Sequence, residues 1–151
     1  MDTQTNEFDR RHCPIVKAIN LIGDKWILLI LRECFMGVRR FEELHVCLDV
    51  SKSVLTVKLN KMLVDGLLKK TRYQLVGQRS RFEYRLTEKG RDLRKIFIFL
   101  SKWGNEYLVE DGQETIFVVD KSSGTPVEMA LINKFKHLLT NKDIVLRAEV
   151  K

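Results

Sequence analysis

No stretch of the 151 residues approaches the roughly 18 consecutive apolar side chains that a bilayer-spanning helix needs. The opening residues, Met1-Asp2-Thr3-Gln4, lack the basic-then-apolar order of a secretory signal, so the expected location is cytoplasmic, with no membrane partner. Cysteine is scarce: Cys13, Cys34 and Cys47 are odd in number and form no CxxC pair, which argues against a disulfide framework and a zinc knuckle. These thiols are expected to be reduced at rest. The three histidines are scattered, and no His/Cys/Asp grouping has metal-ligand spacing, so neither a metal site nor a cofactor is expected. A Gly-rich phosphate loop, a nucleophile elbow and paired catalytic carboxylates are all missing, and the chain is expected not to be an enzyme. Surface aromatics interleaved with basic residues, which stack unpaired bases, are not expected, and this expectation weighs against a general RNA or DNA binder.

What is present is positive charge in one place. The net charge is +7, and Arg39 to Lys95 holds 15 Lys/Arg against 7 Asp/Glu, while the rest of the chain is one short of neutral. A basic segment of this kind attracts polyanions, and counterion release on DNA would supply much of the affinity. A solvated face would carry the same charge, so charge alone leaves both readings open. With 44% hydrophobic residues, the length suits one well-buried domain with a short appendage.

Residues 1–12 are polar without an apolar period and read as a loose arm. Cys13-Pro14 then opens a helix, since proline suits the first helical position, and Ile15, Ile19 and Ile22 form its stripe up to Gly23. Asp24 is the expected N-cap of a second helix whose unbroken apolar run, Trp26 to Leu31, predicts burial on nearly all sides. After Gly37, a third helix begins at Arg39-Arg40, with Phe41, Leu44 and Leu48 facing inward. A short turn at Leu48-Asp49-Val50 leads to Ser51, the N-cap of a fourth helix with Leu55, Leu59, Met62 and Leu63 on one face and Gly66 as its left-handed end. Two short helices, a tight turn and a capped third make a helix-turn-helix pattern.

Beyond Gly66 the period changes. Leu67 to Leu75 and Arg81 to Leu86 read as two strands joined through Val76–Ser80, a hairpin that would form a wing. Thr87 to Gly90 leads into one long helix with Leu93, Ile96, Phe97, Leu100, Trp103 and Tyr107 at helical spacing, and Ile98 and Phe99 widen that stripe beyond what one small core needs. Ile116–Val119, Val127–Leu131 and Ile144–Val150 read as strands around the turn Ser122–Pro126, while Ile132–Leu139 is open between helix and loop. The expected fold is α+β: a winged helix-turn-helix with flanking dimerisation helices and a small C-terminal β extension. The expected divisions are an arm at 1–12, a DNA-binding and dimerisation domain at 13–112, and a β-rich extension at 113–151.

Taken together, Cys13-Pro14, Gly23-Asp24-Lys25-Trp26, Gly37 to Leu44, Ser51 with Leu55-Thr56 and Leu59, Gly66-Leu67, Glu83 to Gly90 and Trp103-Gly104 resemble the HxlR family of winged-helix regulators over Cys13 to Leu108. The resemblance implies homodimers on palindromic operators that repress or activate nearby genes. It also implies that some members answer electrophiles or oxidants through a cysteine near the amino terminus. One departure stands out: where such proteins commonly carry proline in the wing, this chain has Gly77-Gln78-Arg79-Ser80, and its wing is about two residues longer.

The residues themselves nominate a DNA-binding set. With Leu55, Leu59, Met62 and Leu63 inward, Ser51, Lys52, Ser53, Thr56, Val57 and Asn60 face outward, with small polar groups for base edges and methyls for thymine. Lys58 and Lys61 flank this face toward phosphates. Arg39 and Arg40 stand at a helix N-terminus, where phosphate is favoured. Gln78, Arg79 and Arg81 occupy the hairpin tip, suited to a minor groove or a backbone clamp; Arg81 and Arg85 also suit simple charge balance with Glu83 and Glu88. Cys13 is the candidate redox sensor, because a helix N-terminus and the preceding Arg10, Arg11 and His12 favour thiolate; a packing cysteine is the alternative. Cys34 reads as an apolar filler. The expected partners are double-stranded DNA, a second copy of the chain, and a small-molecule or electrophile effector. The rival function is a winged-helix interaction module whose basic face takes an acidic protein.

Overall fold

The computed structural model describes residues 12–147. Residues 1–11 of the arm expected at 1–12 and the end of the strand expected at Ile144–Val150 lie outside the described residues. The chain divides into two compact units, one of Pro14–Phe97 and the other holding the chain from Ile98 onward.

Four helices build the first unit: α1 Pro14–Ile22, α2 Lys25–Phe35, α3 Phe41–Leu48 and α4 Lys52–Val64. Asp24 caps α2, its Oδ1 accepting the Trp26 and Ile27 amides at 2.9 and 3.2 Å. This satisfies two of the donors that a helix start leaves unpaired. Gly66, at φ +71, ends α4 in the left-handed region that glycine adopts without strain. Ile27, Ile30 and Leu31 of α2 meet Leu44 of α3 and Leu55, Leu59 and Met62 of α4, all essentially inaccessible to water. Removing each from water contributes roughly 1.5–3 kcal/mol before the entropy of ordering is subtracted. The expected stripe on α1 covers this core only at Ile22; Ile15 and Ile19 are 53% and 60% exposed. Within the run Trp26–Leu31, only Ile27, Ile30 and Leu31 are fully buried.

Strands β1 Leu68–Tyr73 and β2 Arg81–Leu86 pair antiparallel, from Leu68 opposite Leu86 to Tyr73 opposite Arg81. The Tyr84 amide donates to the Arg39 carbonyl at 2.7 Å, so the residue entering α3 lies along the free edge of β2. The first strand stops at Tyr73, short of the expected Leu75, and Gln74–Ser80 form the loop.

Thr87 joins the hairpin to the helices. Its hydroxyl donates to the Gly66 carbonyl at 2.6 Å and accepts the Gly90 amide at 3.1 Å, capping α5 Glu88–Asp92. A Cβ on Gly90 would stand 2.2 Å from the Leu67 carbonyl oxygen, so α5 lies against the start of β1 at a distance only glycine permits. The long helix expected after Thr87 is therefore two: α5 is fixed to the sheet, Leu93 turns, and α6 Arg94–Leu108 begins afresh with Ile96 and Phe97 amides on the Leu93 carbonyl.

The second unit has little regular structure after α6. Asn105 Nδ2 donates to the Ile116 carbonyl at 3.1 Å, and the expected strands at Ile116–Val119 and Val127–Leu131 reduce mostly to one bridge between Val119 and Pro126. The turn between them is the expected one: Asp120 Oδ1 gathers the amides and hydroxyls of Ser122 and Ser123, which hold its carboxyl down at about 2. A hairpin of β3 Leu131–Ile132 and β4 Leu138–Leu139 falls largely in the segment left open between helix and loop. Asn133 Oδ1 accepts the Phe135 and His137 amides, and Lys136 takes φ +63, which closes the turn. Ile144–Arg147 are not in a strand.

Candidate nucleic-acid interface

The turn between α3 and α4 is narrow and locally determined. Asp49 adopts φ +46, a conformation its short polar side chain tolerates better than most. His45 Nδ1 lies 2.7 Å from the Val50 carbonyl, so that nitrogen carries the proton and bridges the turn. Ser51 then caps α4, accepting the Val54 amide at 3.3 Å. Across the core, Lys58 Nζ reaches Asp24 Oδ2 at 2.5 Å, joining the middle of α4 to the start of α2. One carboxylate therefore caps α2 and anchors α4. Its acidity rises above the ordinary aspartate value, chiefly through the Lys58 hydrogen bond.

This anchoring fixes which face α4 presents. Ser51, Lys52, Ser53, Thr56, Val57 and Asn60 are all exposed, on the side opposite Leu55, Leu59 and Met62. The Thr56 hydroxyl donates back to the Lys52 carbonyl at 2.7 Å, leaving its methyl and oxygen lone pairs outward. Asn60 has no side-chain partner among the described residues, so its amide can both donate and accept. Lys52 pairs with Glu42 at 3.0 Å and Lys61 with Asp65 at 2.6 Å, both on the surface, where such pairs are weak and readily exchanged. Lys58 is placed differently from the sequence expectation: half-buried against Asp24, it is spent on holding α4 in position.

Arg40 is the N-cap residue of α3, with its amide on Glu43 Oε2 at 3.3 Å and its guanidinium 4.7 Å from the Tyr73 ring centroid. Arg39 precedes it, exposed, at the edge of β2. In the wing, the Gln78 amide donates to Leu75 and its carbonyl accepts Gln74 Nε2, so Gln78 serves the loop through its backbone and leaves its side chain exposed. Arg79 and Arg81 are exposed without an ion pair among the described residues. Arg85, in contrast, is bound to the buried Glu83. The structure thus brings Arg39 and Arg40 to the hairpin's side and the outward set to one face of α4. Residues that sequence reasoning did not select include Lys70 and Arg72, stacked over Tyr84 and Phe82 across the ladder. The basic segment Lys69-Lys70-Thr71-Arg72, facing Phe82 and Tyr84 across the hairpin, was the signal for them.

Cys13 is half-buried immediately before α1, Cys47 is exposed on α3, and Cys34 is half-buried near the end of α2. Burial pushes the Cys34 thiol up to about 12, Glu33 adding to the rise and Arg39 opposing it. No group of three potential ligands that could hold a metal occurs among the described residues, and no described helix is long and apolar enough to cross a membrane.

Residues 21–112 match the HxlR-like helix-turn-helix family. The chain belongs to that family. It is 44% identical over 92 residues to an uncharacterized HTH-type transcriptional regulator of Mycobacterium tuberculosis, covering 61% of this chain and 57% of the relative. The chain thus spans little more than half the length of the first curated relatives it matches. A further HTH-type transcriptional regulator, of Synechocystis, is 33% identical over 117 residues, covering 74% of this chain and 85% of that one. Among solved structures, the candidate transcription factor PA1607 is similar at a TM-score of 0.80 and 28% identity over 93% of this chain and 97% of its own. The redox regulator HypR in its reduced form is similar at 0.55 and 29% over 64% of this chain and 97% of its own. The fold of this HxlR-family chain is the winged helix, with α3 and α4 as the helix-turn-helix and β1–β2 as the wing.

Proposed function

We propose that the chain is a sequence-specific regulator of transcription that binds duplex DNA as a homodimer on an inverted repeat. The reading rests above all on α4: a capped helix, pinned to the core through Asp24 and Lys58, presenting a continuous polar face in a family of helix-turn-helix proteins. In this reading Ser53, Thr56, Val57 and Asn60 meet base edges in the major groove, and Ser51 and Lys52 stand at its margin. Arg39 and Arg40 hold phosphates beside α3, while Gln78, Arg79 and Arg81 reach the flanking groove or backbone from the wing. Residues 13–112 carry DNA binding and dimerisation, residues 113–151 form an appendage, and the protein works in the cytoplasm without catalysing a reaction.

Dimerisation accounts for apolar side chains that the single chain leaves in water. Ile15 and Ile19 on α1, and Phe99, Leu100, Trp103 and Tyr107 on α6, are 44–63% exposed. A second copy would cover them, and twofold symmetry would set two α4 helices one DNA turn apart. Substituting Asn60→Ala should weaken binding at its own operator about ten-fold or more and relax selectivity there, whereas Arg79→Ala should weaken all duplexes alike and flatten the salt dependence. If Asn60→Ala leaves selectivity intact, α4 is not the reading helix.

Cys13 is the proposed point of redox or electrophile control, supported by its place just before α1 and by the likeness to HypR, a redox regulator. Adding diamide or an aldehyde should change DNA affinity of the unsubstituted chain and not of Cys13→Ser; equal responses would remove Cys13 from the account.

A further inference from the structure

Away from the outward face of α4, the Pro14–Phe97 unit contains an open cleft of about 250 Å³. Arg39, Lys69, Arg85, Arg91 and Arg94 line it, and no lining residue is acidic. These cations come from five elements: the approach to α3, both strands, α5 and the first residue of α6. Their meeting is a product of the fold, since no two are neighbours in sequence. Lys69 and Arg85 stand directly opposite each other in the ladder, where like charges destabilise a strand pair. Only Arg85 of the five has a carboxylate partner among the described residues, the buried Glu83. Arg91 spends one N–H on the Leu86 carbonyl at 3.0 Å, which fixes its guanidinium while leaving other donors. Arg94 is steadied over the Phe35 ring at 5.4 Å. A fold that gathers five cations in a concavity, holds three in place and leaves four without a counter-charge is built to receive negative charge from outside.

We propose that this cleft binds a small organic anion with at least two negative charges, of the phosphate-ester, diphosphate or polycarboxylate kind. Val38, Tyr84 and Leu86 supply a wall for its carbon body. Cys34, also on the wall, is kept neutral by burial and does not repel the ligand. The volume suits a metabolite-sized anion and excludes a folded partner. Arg39 belongs both to this cleft and to the phosphate-binding edge described above, so a bound anion competes for it and lowers DNA affinity. That last consequence rests on the proposed DNA reading; binding of the anion does not.

Calorimetric titration of the full chain with inorganic pyrophosphate and with citrate tests the site. The expected result is saturable binding of one anion per chain, weakened roughly ten-fold by Lys69→Gln and by Arg94→Gln. Lys17→Gln, which removes the same charge from the exposed surface of α1, should leave it unchanged. Circular dichroism melts verify that each variant is folded; the Lys69 side chain has no hydrogen bond or ion pair to lose among the described residues and serves alone if Arg94→Gln melts early. Absence of saturable binding, or an equal loss in Lys17→Gln, overturns the proposal. So does a result in which Lys69→Gln and Arg94→Gln weaken duplex DNA as much as pyrophosphate, because the cleft is then part of the DNA surface. A chain that binds pyrophosphate at this cleft and no DNA sequence selectively would instead overturn the regulator reading and leave the site standing.

Discussion

Eleven apolar side chains are buried between Ile22 and Leu68, whereas from Ile98 to Arg147 not one is, although that stretch contains Phe99, Trp103, Phe117, Phe135 and Leu146. The two halves have comparable raw material and opposite outcomes. In the first, helical spacing turns apolar residues of three helices toward one centre, and the starts of α2, α4 and α5 and the end of α4 have local partners in Asp24, Ser51, Thr87 and Gly66. In the second, the turns are as well made, at Asp120 and Asn133, yet the strands they join are too short to enclose anything. Local hydrogen bonding shapes a chain, but burial requires a second surface, and for α6 that surface is proposed to be another copy.

The largest effect expected from this contrast is on association. Trp103→Glu combined with Leu100→Glu places two charges where a partner should pack, and light scattering should then report half the mass of the unsubstituted protein. Unchanged mass would mean that α6 is not the interface. Next, Leu59→Ala should remove about 2–5 kcal/mol of stability in urea unfolding, while Leu138→Ala, at a site 74% exposed, should stay within about 0.5 kcal/mol. Equal losses would erase the contrast between the units. Gly90→Ala should cost roughly 1–3 kcal/mol, since the Leu67 oxygen it would strike is backbone and cannot swing aside.

A smaller effect, with its own pH signature, belongs to Asp24. Asp24→Ala should cost about 1–2 kcal/mol at neutral pH through lost capping and the lost anchor to Lys58. Lys58, aided by the Ile27 and Trp26 amides and opposed by burial, holds this carboxyl below the ordinary 3.8. Its contribution is therefore complete above the ordinary aspartate range and is lost as pH falls through the lowered value. Melts of the two proteins should differ most near pH 7 and converge in acid below about pH 4. A gap that grows in acid would contradict the assignment.

These contrasts also explain what could be read in advance. Caps and glycine stops are written within a few residues of where they act, so α2, α4 and the existence of the hairpin follow from Asp24, Ser51, Gly66 and strand alternation. The outward face of α4 followed in the same way. Lys58 did not, because its partner is 34 positions away and only the packed core brings them together. The basic cleft was hidden for the same reason: Arg39, Lys69 and Arg94 converge through tertiary structure alone. In the tail, β-favouring residues such as Ile116–Val119 suggested strands, but pairing was decided by turns, and the Asn133–Lys136 turn moved the hairpin to Leu131–Leu139.

The central claim, that α4 reads a DNA sequence, is tested most directly by gel-shift titration of the full chain across salt concentrations. Duplex flanking its own gene is compared with unrelated duplex of equal length. The account predicts retention of the flanking duplex well beyond the unrelated one, with affinity falling steeply as salt rises because phosphate contacts release counterions. Equal, weak binding to every duplex would contradict it.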